Sequence, residues 1–376
     1  MIRFLHTADL HLGWSPSYLS GEKQDILRRE RDSVIESICS IMSDPRKEID
    51  GMIIAGDLFE KYDPDDSTVS QVIGLLSKIT SAGKLLITVP GNHDEITYNE
   101  SVYRKNSGKW PGILVTCPNA MKVYETEIRE NKVSFYSLAY TGGRTETGEN
   151  MKYPEASTGG YHIGIFHGSL DWEGLPDRSL PLRSSDIFDA GYDYTALGHI
   201  HMYSEKNRGK QKIVYPGAPE FKSFNDPGCG HVTIVNISDT GIRLEKEFLP
   251  MRRNKTIDID VTRYQTYEDL KDACMKHSDK ELMLNINLKG TPTYFFDEEN
   301  LSKELQDEFF YLKIDNSSIY YSVDYLEDLS KEPTLRGLFA KRMTENIMKA
   351  VDEDERKLLY RAFLKGIAAL KGGTGR

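Results

Sequence analysis

Apolar positions fall along the first third of the chain in short runs of two alternating kinds. Ile2 to Thr7, Met52 to Ala55 and Leu85 to Val89 are compact strand-like runs, whereas Ile26 to Met42 and Val69 to Ile79 place their apolar residues at helical spacing. In the second helix Val69, Val72, Ile73, Leu76 and Ile79 share one stripe, and Gly83 follows as a C-terminal stop. A βαβαβ order of this kind predicts a sheet of parallel type. After Gly112 the texture changes to closely spaced strand-like runs: Ser134 to Leu138, Tyr161 to Phe166, Tyr194 to Leu197, Ile213 to Tyr215, His231 to Ile237 and Ile242 to Leu249. These predict a second sheet built mostly of strands.

Pro250 and the polar run Arg252, Arg253, Asn254, Lys255 read as a linker, beyond which the pattern restarts. Strands are predicted at Thr256 to Val261, Leu282 to Leu288 and Phe310 to Ile314, with helices at Tyr267 to His277 and Leu301 to Phe309. From Thr334 to Leu370 the spacing is helical throughout. One stripe holds Leu335, Leu338, Phe339, Met343, Ile347 and Val351; the other holds Leu358, Leu359, Ala362, Phe363, Ile367 and Leu370, with Asp352 and Glu355 placed as a capping box between them. Three segments are therefore expected: 1–250, 251–325 and 326–376.

Composition narrows the class. A chain of 376 residues exceeds one small domain, at roughly 150 residues per domain. No apolar stretch approaches the roughly 20 residues needed to cross a bilayer, and His6, Asp9 and His11 interrupt the N-terminal run, so neither a leader nor a membrane anchor is expected. Cys39, Cys117, Cys229 and Cys274 lie far apart, which suggests neither a disulfide framework nor a zinc knuckle and fits a reducing cytoplasm. The formal charge of -10 argues against a broadly basic nucleic-acid grip. The charge is divided, however: from Lys331 onward eleven Lys and Arg face six Asp and Glu, which leaves residues 1–330 at -15.

Clusters of potential ligands follow the predicted strands. Asp9 and His11 come directly after the first; two residues apart in an extended backbone, they would point the same way and share a cation. Gly56-Asp57 follows the second strand, and an aspartate can give one oxygen to each of two cations. Gly91-Asn92-His93-Asp94 follows the third, with Asn92 offering a neutral oxygen and His93 left for acid–base work. His167 ends a later strand, and Gly198-His199-Ile200-His201 ends another. Each cluster taken singly is a common strand terminus; five in series, at the edge where open α/β sheets bind ligands, point to a metal centre.

This ordered set, D-x-H, G-D, G-N-H-D, H and G-H-x-H, resembles that of the calcineurin-like metallophosphoesterases. Leu5 to Gly13, Gly56-Asp57-Leu58-Phe59 and Tyr215-Pro216-Gly217-Ala218 narrow the resemblance to the SbcD and meiotic recombination eleven nucleases over roughly residues 1–250. It implies an α/β fold of two stacked β-sheets flanked by helices, a small α/β DNA-capping domain at 251–325, and a helical C-terminal segment that docks a coiled-coil ABC ATPase of the SbcC or Rad-fifty type. It also implies a homodimer. Carried across residue by residue, one metal would be held by Asp9, His11, Asp57 and His201, and the other by Asp57, Asn92, His167 and His199. The nitrogen and oxygen donors suit Mn²⁺, Fe²⁺ or Zn²⁺, and the resemblance favours two Mn²⁺ ions. His93 would stabilise the phosphorus transition state or protonate the leaving oxygen. Glu60 stands where bacterial relatives carry aspartate, and it is expected to accept the N–H of His93 and so act with it in catalysis.

The implied function is a Mn²⁺-dependent DNA exonuclease and endonuclease of a double-strand-break repair complex. Its rivals are a phosphomonoesterase or small-molecule phosphodiesterase on the same scaffold, which the acidic balance favours, and a non-catalytic scaffold, which a complete ligand set opposes. His6, His162, His231 and His277 receive no ligand role. Trp14, Tyr18, Trp110 and Trp172 occupy predicted loops and receive no DNA-contact role.

Overall fold

The computed structural model describes residues 1–19, 21–141, 144–147, 150–172, 179–223, 229–294 and 296–371. They divide into two compact units, Met1–Met251 and Arg252–Arg376.

In the first unit β1 (Ile2–Thr7), β2 (Gly51–Ala55), β3 (Leu85–Val89) and β4 (Ile113–Leu114) lie side by side and parallel. Helix α1 (Gly21–Ser43) links β1 to β2, α2 (Asp66–Ser81) links β2 to β3, and the short α3 (Val102–Lys105) precedes β4. Thr7 pairs with Ile54 and Ala55 with Val89, so the three central strands end close together and release their following loops at one edge. The second sheet runs β10 (Ser204–Arg208), β11 (Gln211–Tyr215), β9 (Tyr194–Gly198), β7 (Tyr161–Leu170), β6 (Asn131–Ser137), β5 (Met121–Ile128), with β8 (Leu180–Leu182) beside the end of β7. Two antiparallel strands, β12 (His231–Ser238) and β13 (Gly241–Phe248), then complete the first sheet on the far side of β1.

The sheets stack through one apolar core. Phe4 of β1 meets Phe135 of β6 edge-on with ring centroids 5.7 Å apart. Ile53 and Ile87 share that core with Val133, Ile163 and Ala196, and α1 and α2 bring Ile35, Ile38, Val72 and Leu76 to it. A separate cluster, including Phe166 and Tyr192, buries the other side of the second sheet under α4 (Ser184–Asp189), which contributes Ile187 and Phe188. The architecture is thus the expected α/β stack of two sheets flanked by helices.

The second unit holds a parallel sheet of β14 (Asn254–Asp260), β15 (Asp279–Gly290) and β16 (Phe309–Ile319), with α5 (Tyr267–Met275) and α6 (Glu298–Leu305) in the connections. Thr266 and Asp269 cap the start of α5 reciprocally, each side chain taking the other residue's backbone N–H. Three helices follow: α7 (Val323–Ser330), α8 (Leu335–Met348) and α9 (Glu353–Lys371). Their Leu326, Leu329, Ala340, Phe363 and Ile367 are buried in one cluster with Leu284, Ile286 and Ile314 of the sheet and Leu301 of α6. Residues 251–325 and 326–376, expected as two segments, therefore share a single core over their described residues; 372–376 lie outside these. Among the described residues no helix is long and apolar enough to cross a membrane.

Candidate metal centre

The loops that leave the aligned strand ends carry the side chains singled out in the sequence. Asp9 and His11 follow β1, Asp57 follows β2, Asn92 and His93 follow β3, and His199 and His201 follow β9. His167 lies within β7 rather than at its end, because that strand continues to Leu170 by pairing with β8. The expected extended backbone at Asp9 and His11 does not form. Asp9 (φ 57°), His11 (φ 49°), Asp57 (φ 50°) and His199 (φ 105°) all occupy the positive-φ region that residues with a side chain rarely adopt. Cross-loop hydrogen bonds hold them there: the N–H groups of Asp9 and His11 donate to the carbonyls of Gly56 and Asp57 at 3.1 and 3.0 Å, and the His199 N–H donates to the Asp9 carboxylate at 3.0 Å.

Three groups of donor atoms result, each with its atoms within 4.8 Å of one another: Asp9, His11 and His201; His11, Asp57 and His93; and Asp57, His167 and His199. Nε2 of His11 is 3.1 Å from Nε2 of His201 and 3.7 Å from Oδ2 of Asp57. Oδ1 of Asn92 is 3.0 Å from both Nε2 of His167 and Nδ1 of His199, and the same His167 nitrogen is 3.3 Å from Oδ2 of Asp57. Asp57 thus joins the two halves. His201 falls with Asp9 and His11, and His199 with Asp57 and His167.

The donor set fits cations on a chemical ground. Nδ1 of His167 faces the Ala55 carbonyl at 2.8 Å and must donate to it, so the neutral ring turns the Nε2 lone pair toward Asn92 and Asp57, both acceptors. Oε2 of the Glu60 carboxylate lies 2.9 Å from Nδ1 of His11, an ion-pair contact whose negative charge favours the proton on that nitrogen and leaves the Nε2 lone pair toward His201 and Asp57. Converging lone pairs require a positive charge between them, supplied by a proton or a metal ion. At His167 a proton can take that place: burial disfavours its charge, yet the Asp57 carboxylate outweighs it and pushes the imidazole up to about 9, whereas at His11 burial outweighs Glu60 and Asp57 and lowers the imidazole. Asp57 responds oppositely, since its own burial is outweighed by His167 and His11, which hold it well below the usual carboxylate range.

Close packing leaves little tolerance. A Cβ on Gly91 would fall 2.1 Å from Oδ1 of Asp57, and one on Gly56 would fall 2.1 Å from Nδ1 of His167. Asp94 of the G-N-H-D motif, whose place in the sequence suggests no role, ties the loops together. Its carboxylate accepts from the N–H groups of Leu58 (2.8 Å), Phe59 (3.2 Å) and Gly91 (2.7 Å) and from the Tyr103 hydroxyl (2.6 Å).

The Glu60 pairing requires correction. Nδ1 of His93 donates to the Glu60 backbone carbonyl at 3.0 Å, while the Glu60 carboxylate lies 3.8 Å from that nitrogen. The carboxylate instead binds His11 at 2.9 Å and Nζ of Lys222 at 2.8 Å. Burial would raise its pKa, but these two partners hold it down to about 2. Neither Lys222 nor the buried Arg31 is among the residues that the sequence singles out. Arg31 leaves a signal, a charge on the otherwise apolar buried stripe of α1; Lys222, in the loop after β11, leaves none.

The remaining histidines have other surroundings. His6 is buried between the Tyr194 hydroxyl (2.8 Å) and the Leu197 carbonyl (3.1 Å), and burial pushes it down to about 3. His162 meets the Tyr136 hydroxyl and His231 packs on Tyr203 and Phe248. Trp110 is buried against Phe59 and Tyr103, whereas Trp172 is exposed.

Comparison with known proteins agrees with this geometry. The family model of the calcineurin-like phosphoesterase superfamily domain matches residues 3–240. The uncharacterized metallophosphoesterase YhaO of Bacillus subtilis is 24% identical over 255 residues, 65% of this chain and 59% of that protein. The DNA double-strand break repair protein Mre11 of Methanopyrus kandleri is 27% identical over 242 residues, 59% of this chain and 50% of its own length. The D component of the nuclease SbcCD from Bacillus subtilis is 23% identical over 271 residues, 62% of this chain and 66% of that protein. The chain thus spans about half to two thirds of the length of these relatives.

Proposed function

Because this chain belongs to the calcineurin-like phosphoesterase superfamily, we propose that it is a two-metal phosphodiesterase acting on DNA, the nuclease subunit of a double-strand-break repair complex. The observation that carries this reading is the bridging position of Asp57 between two sets of lone pairs, His11 with His201 and Asn92 with His167. Asp9, His11, Asp57 and His201 would hold one cation, and Asp57, Asn92, His167 and His199 the other. Nitrogen and oxygen donors without thiolate suit Mn²⁺. When bound, such a pair supplies Lewis-acid stabilisation of the phosphate and lowers the pKa of an attacking water.

The chain's own residues do the rest. His93 sits edge-on to His11, ring centroids 4.7 Å apart, and its half-exposed ring is oriented by the Glu60 carbonyl on Nδ1. Its Nε2 is therefore the edge that can give a proton to the leaving sugar oxygen. Asp57 and Asn92 fix the spacing of the two positions. Glu60 acts through His11.

The relatives named for DNA double-strand break repair and for the SbcCD nuclease support DNA as substrate, and the coiled-coil ABC ATPase implied by the resemblance of the motifs is the partner proposed with it. Leu335 and Leu338 of α8, Val351 in the turn and Leu358 of α9 are exposed, apolar surface suited to that partner. A homodimer, the DNA-capping role of the small sheet and a cytoplasmic location belong to the same proposal.

The acidic balance of residues 1–330 favours a second reading, a phosphatase of small substrates. One experiment separates them: Mn²⁺-dependent release of nucleotides from linear duplex DNA, set against hydrolysis of p-nitrophenyl phosphate. Efficient DNA cleavage with little phosphatase activity is expected. The reverse ratio would replace the nuclease by a phosphatase.

A further inference from the structure

A string of charged side chains reaches the first metal position from a loop that contributes no ligand. Lys222 lies in the segment after β11, and its Nζ is 2.8 Å from Oε2 of Glu60. The same Glu60 oxygen is 2.9 Å from Nδ1 of His11 and 3.8 Å from Nδ1 of His93. The carboxylate thus stands between two histidines with different proposed tasks, one a ligand and one an acid. It takes the ligand.

The segment carrying Lys222 is pinned. Arg31, almost wholly buried, donates from Nη1 to the Leu10 carbonyl at 3.2 Å and from Nη2 to the Phe221 carbonyl. Its Nε lies 3.7 Å from the buried Glu220 carboxylate, and its guanidinium lies over the Trp14 ring, 4.6 Å from the centroid. Leu10 separates Asp9 from His11, and Phe221 precedes Lys222, so one guanidinium fixes the ligand loop and the Lys222 segment together. The ammonium of Lys222 also faces Trp14, at 5.9 Å.

We infer that Lys222 is a positioning residue of the metal centre: by holding the Glu60 carboxylate on Nδ1 of His11 it keeps the His11 Nε2 lone pair turned to the first cation. This rests on the two-metal reading and adds a loop outside the ligand set that governs one of the two sites. Its consequence has a definite sign. A lysine acting only as a nearby positive charge repels a divalent cation, so its removal would tighten binding. A lysine acting through Glu60 orients the ligand, and its removal weakens binding, by roughly 10- to 100-fold on the usual scale for such outer partners.

The test titrates Mn²⁺ into the metal-free full chain by isothermal calorimetry. The unsubstituted chain binds two ions. In Lys222→Met one site is expected to weaken about 10-fold or more while the other is unchanged, and Lys222→Arg, which keeps the donor and the charge, restores it. Imidazole ¹⁵N spectra of the Zn²⁺-loaded chain supply a readout independent of affinity: His11 protonated at Nδ1, with that signature lost in Lys222→Met. Unchanged or tighter binding in Lys222→Met overturns the inference, as does equal loss at both sites with a lowered melting temperature. Failure of the unsubstituted chain to bind Mn²⁺ would refute the two-metal reading itself.

Discussion

A methyl group placed on Gly91 would fall 2.1 Å from Oδ1 of Asp57 and 2.5 Å from the Asp57 backbone nitrogen. Ordinary contact begins near 3.4 Å, so the carboxylate would have to withdraw by about 1.3 Å. The Asp57 main chain has little freedom to follow, because its carbonyl accepts the His11 N–H at 3.0 Å while Oδ1 itself accepts the His93 N–H at 2.9 Å. Ligand distances tolerate roughly 0.2 Å. Gly91→Ala is therefore expected to lose the bridging ligand and with it both ions. Overpacking of this kind costs about 1–3 kcal/mol, which lowers the melting temperature by several degrees without abolishing the fold. Gly74, exposed on α2 with nothing within 4 Å of where a Cβ would stand, is the control: Gly74→Ala should keep both metals and gain about 1 kcal/mol. Metal content after dialysis, measured by elemental analysis beside a thermal melt, decides the matter. A folded Gly91→Ala chain that retains two ions would show that Asp57 does not bridge them.

Three other expectations follow from the same geometry. His93→Gln should leave metal content intact and reduce DNA cleavage by roughly 10²-fold, the usual scale for a general acid; loss of an ion would make His93 a ligand, as its grouping with His11 and Asp57 allows. His6 is held neutral, at about 3 when folded against 6.5 as the ordinary value, so the unfolded chain binds the extra proton between those limits. Stability should consequently fall as pH drops from 6.5 toward 3, and His6→Gln should flatten that limb in denaturant melts; an unchanged limb would assign it to other groups. Phe363→Ala should cost about 3–5 kcal/mol in the second unit, whereas Leu338→Asp on the exposed side of α8 should leave the melt unchanged and abolish co-purification with the ATPase.

Which parts of this are legible in the sequence depends on burial. The strands of the first sheet that are covered on both sides, β1, β2 and β3, appear as apolar runs whose predicted bounds agree with the structure to within a residue. The two edge strands of the second sheet leave no such trace: β10 reads Ser-Glu-Lys-Asn-Arg with every side chain exposed, and β5 alternates weakly, so neither carries a hydrophobic signature although both are paired with a neighbour. Helix α1 begins before the predicted Ile26 for the same reason, since its first turn from Gly21 is polar and largely exposed. Around the centre, residue types and order suggest a ligand set, but contacts between distant loops set the orientations. Glu60 illustrates the limit: its spacing from Asp57 places it near His93, while the choice of His11 as its partner is made with Lys222, 162 residues away in sequence.

The positive φ values at Asp9, His11, Asp57 and His199 extend beyond local geometry. Each non-glycine residue in that region stores about 1–2 kcal/mol, held in place by the amide bonds that cross from loop to loop. A bound cation would offset that stored energy, and its removal leaves the cross-loop bonds alone to hold the turns. Removal of metal should then register first as faster hydrogen exchange at the amides of Asp9, His11 and His199, each of which donates one of those bonds, while amides in the strands behind them stay protected. The backbone thus carries its own gauge of whether the centre is filled.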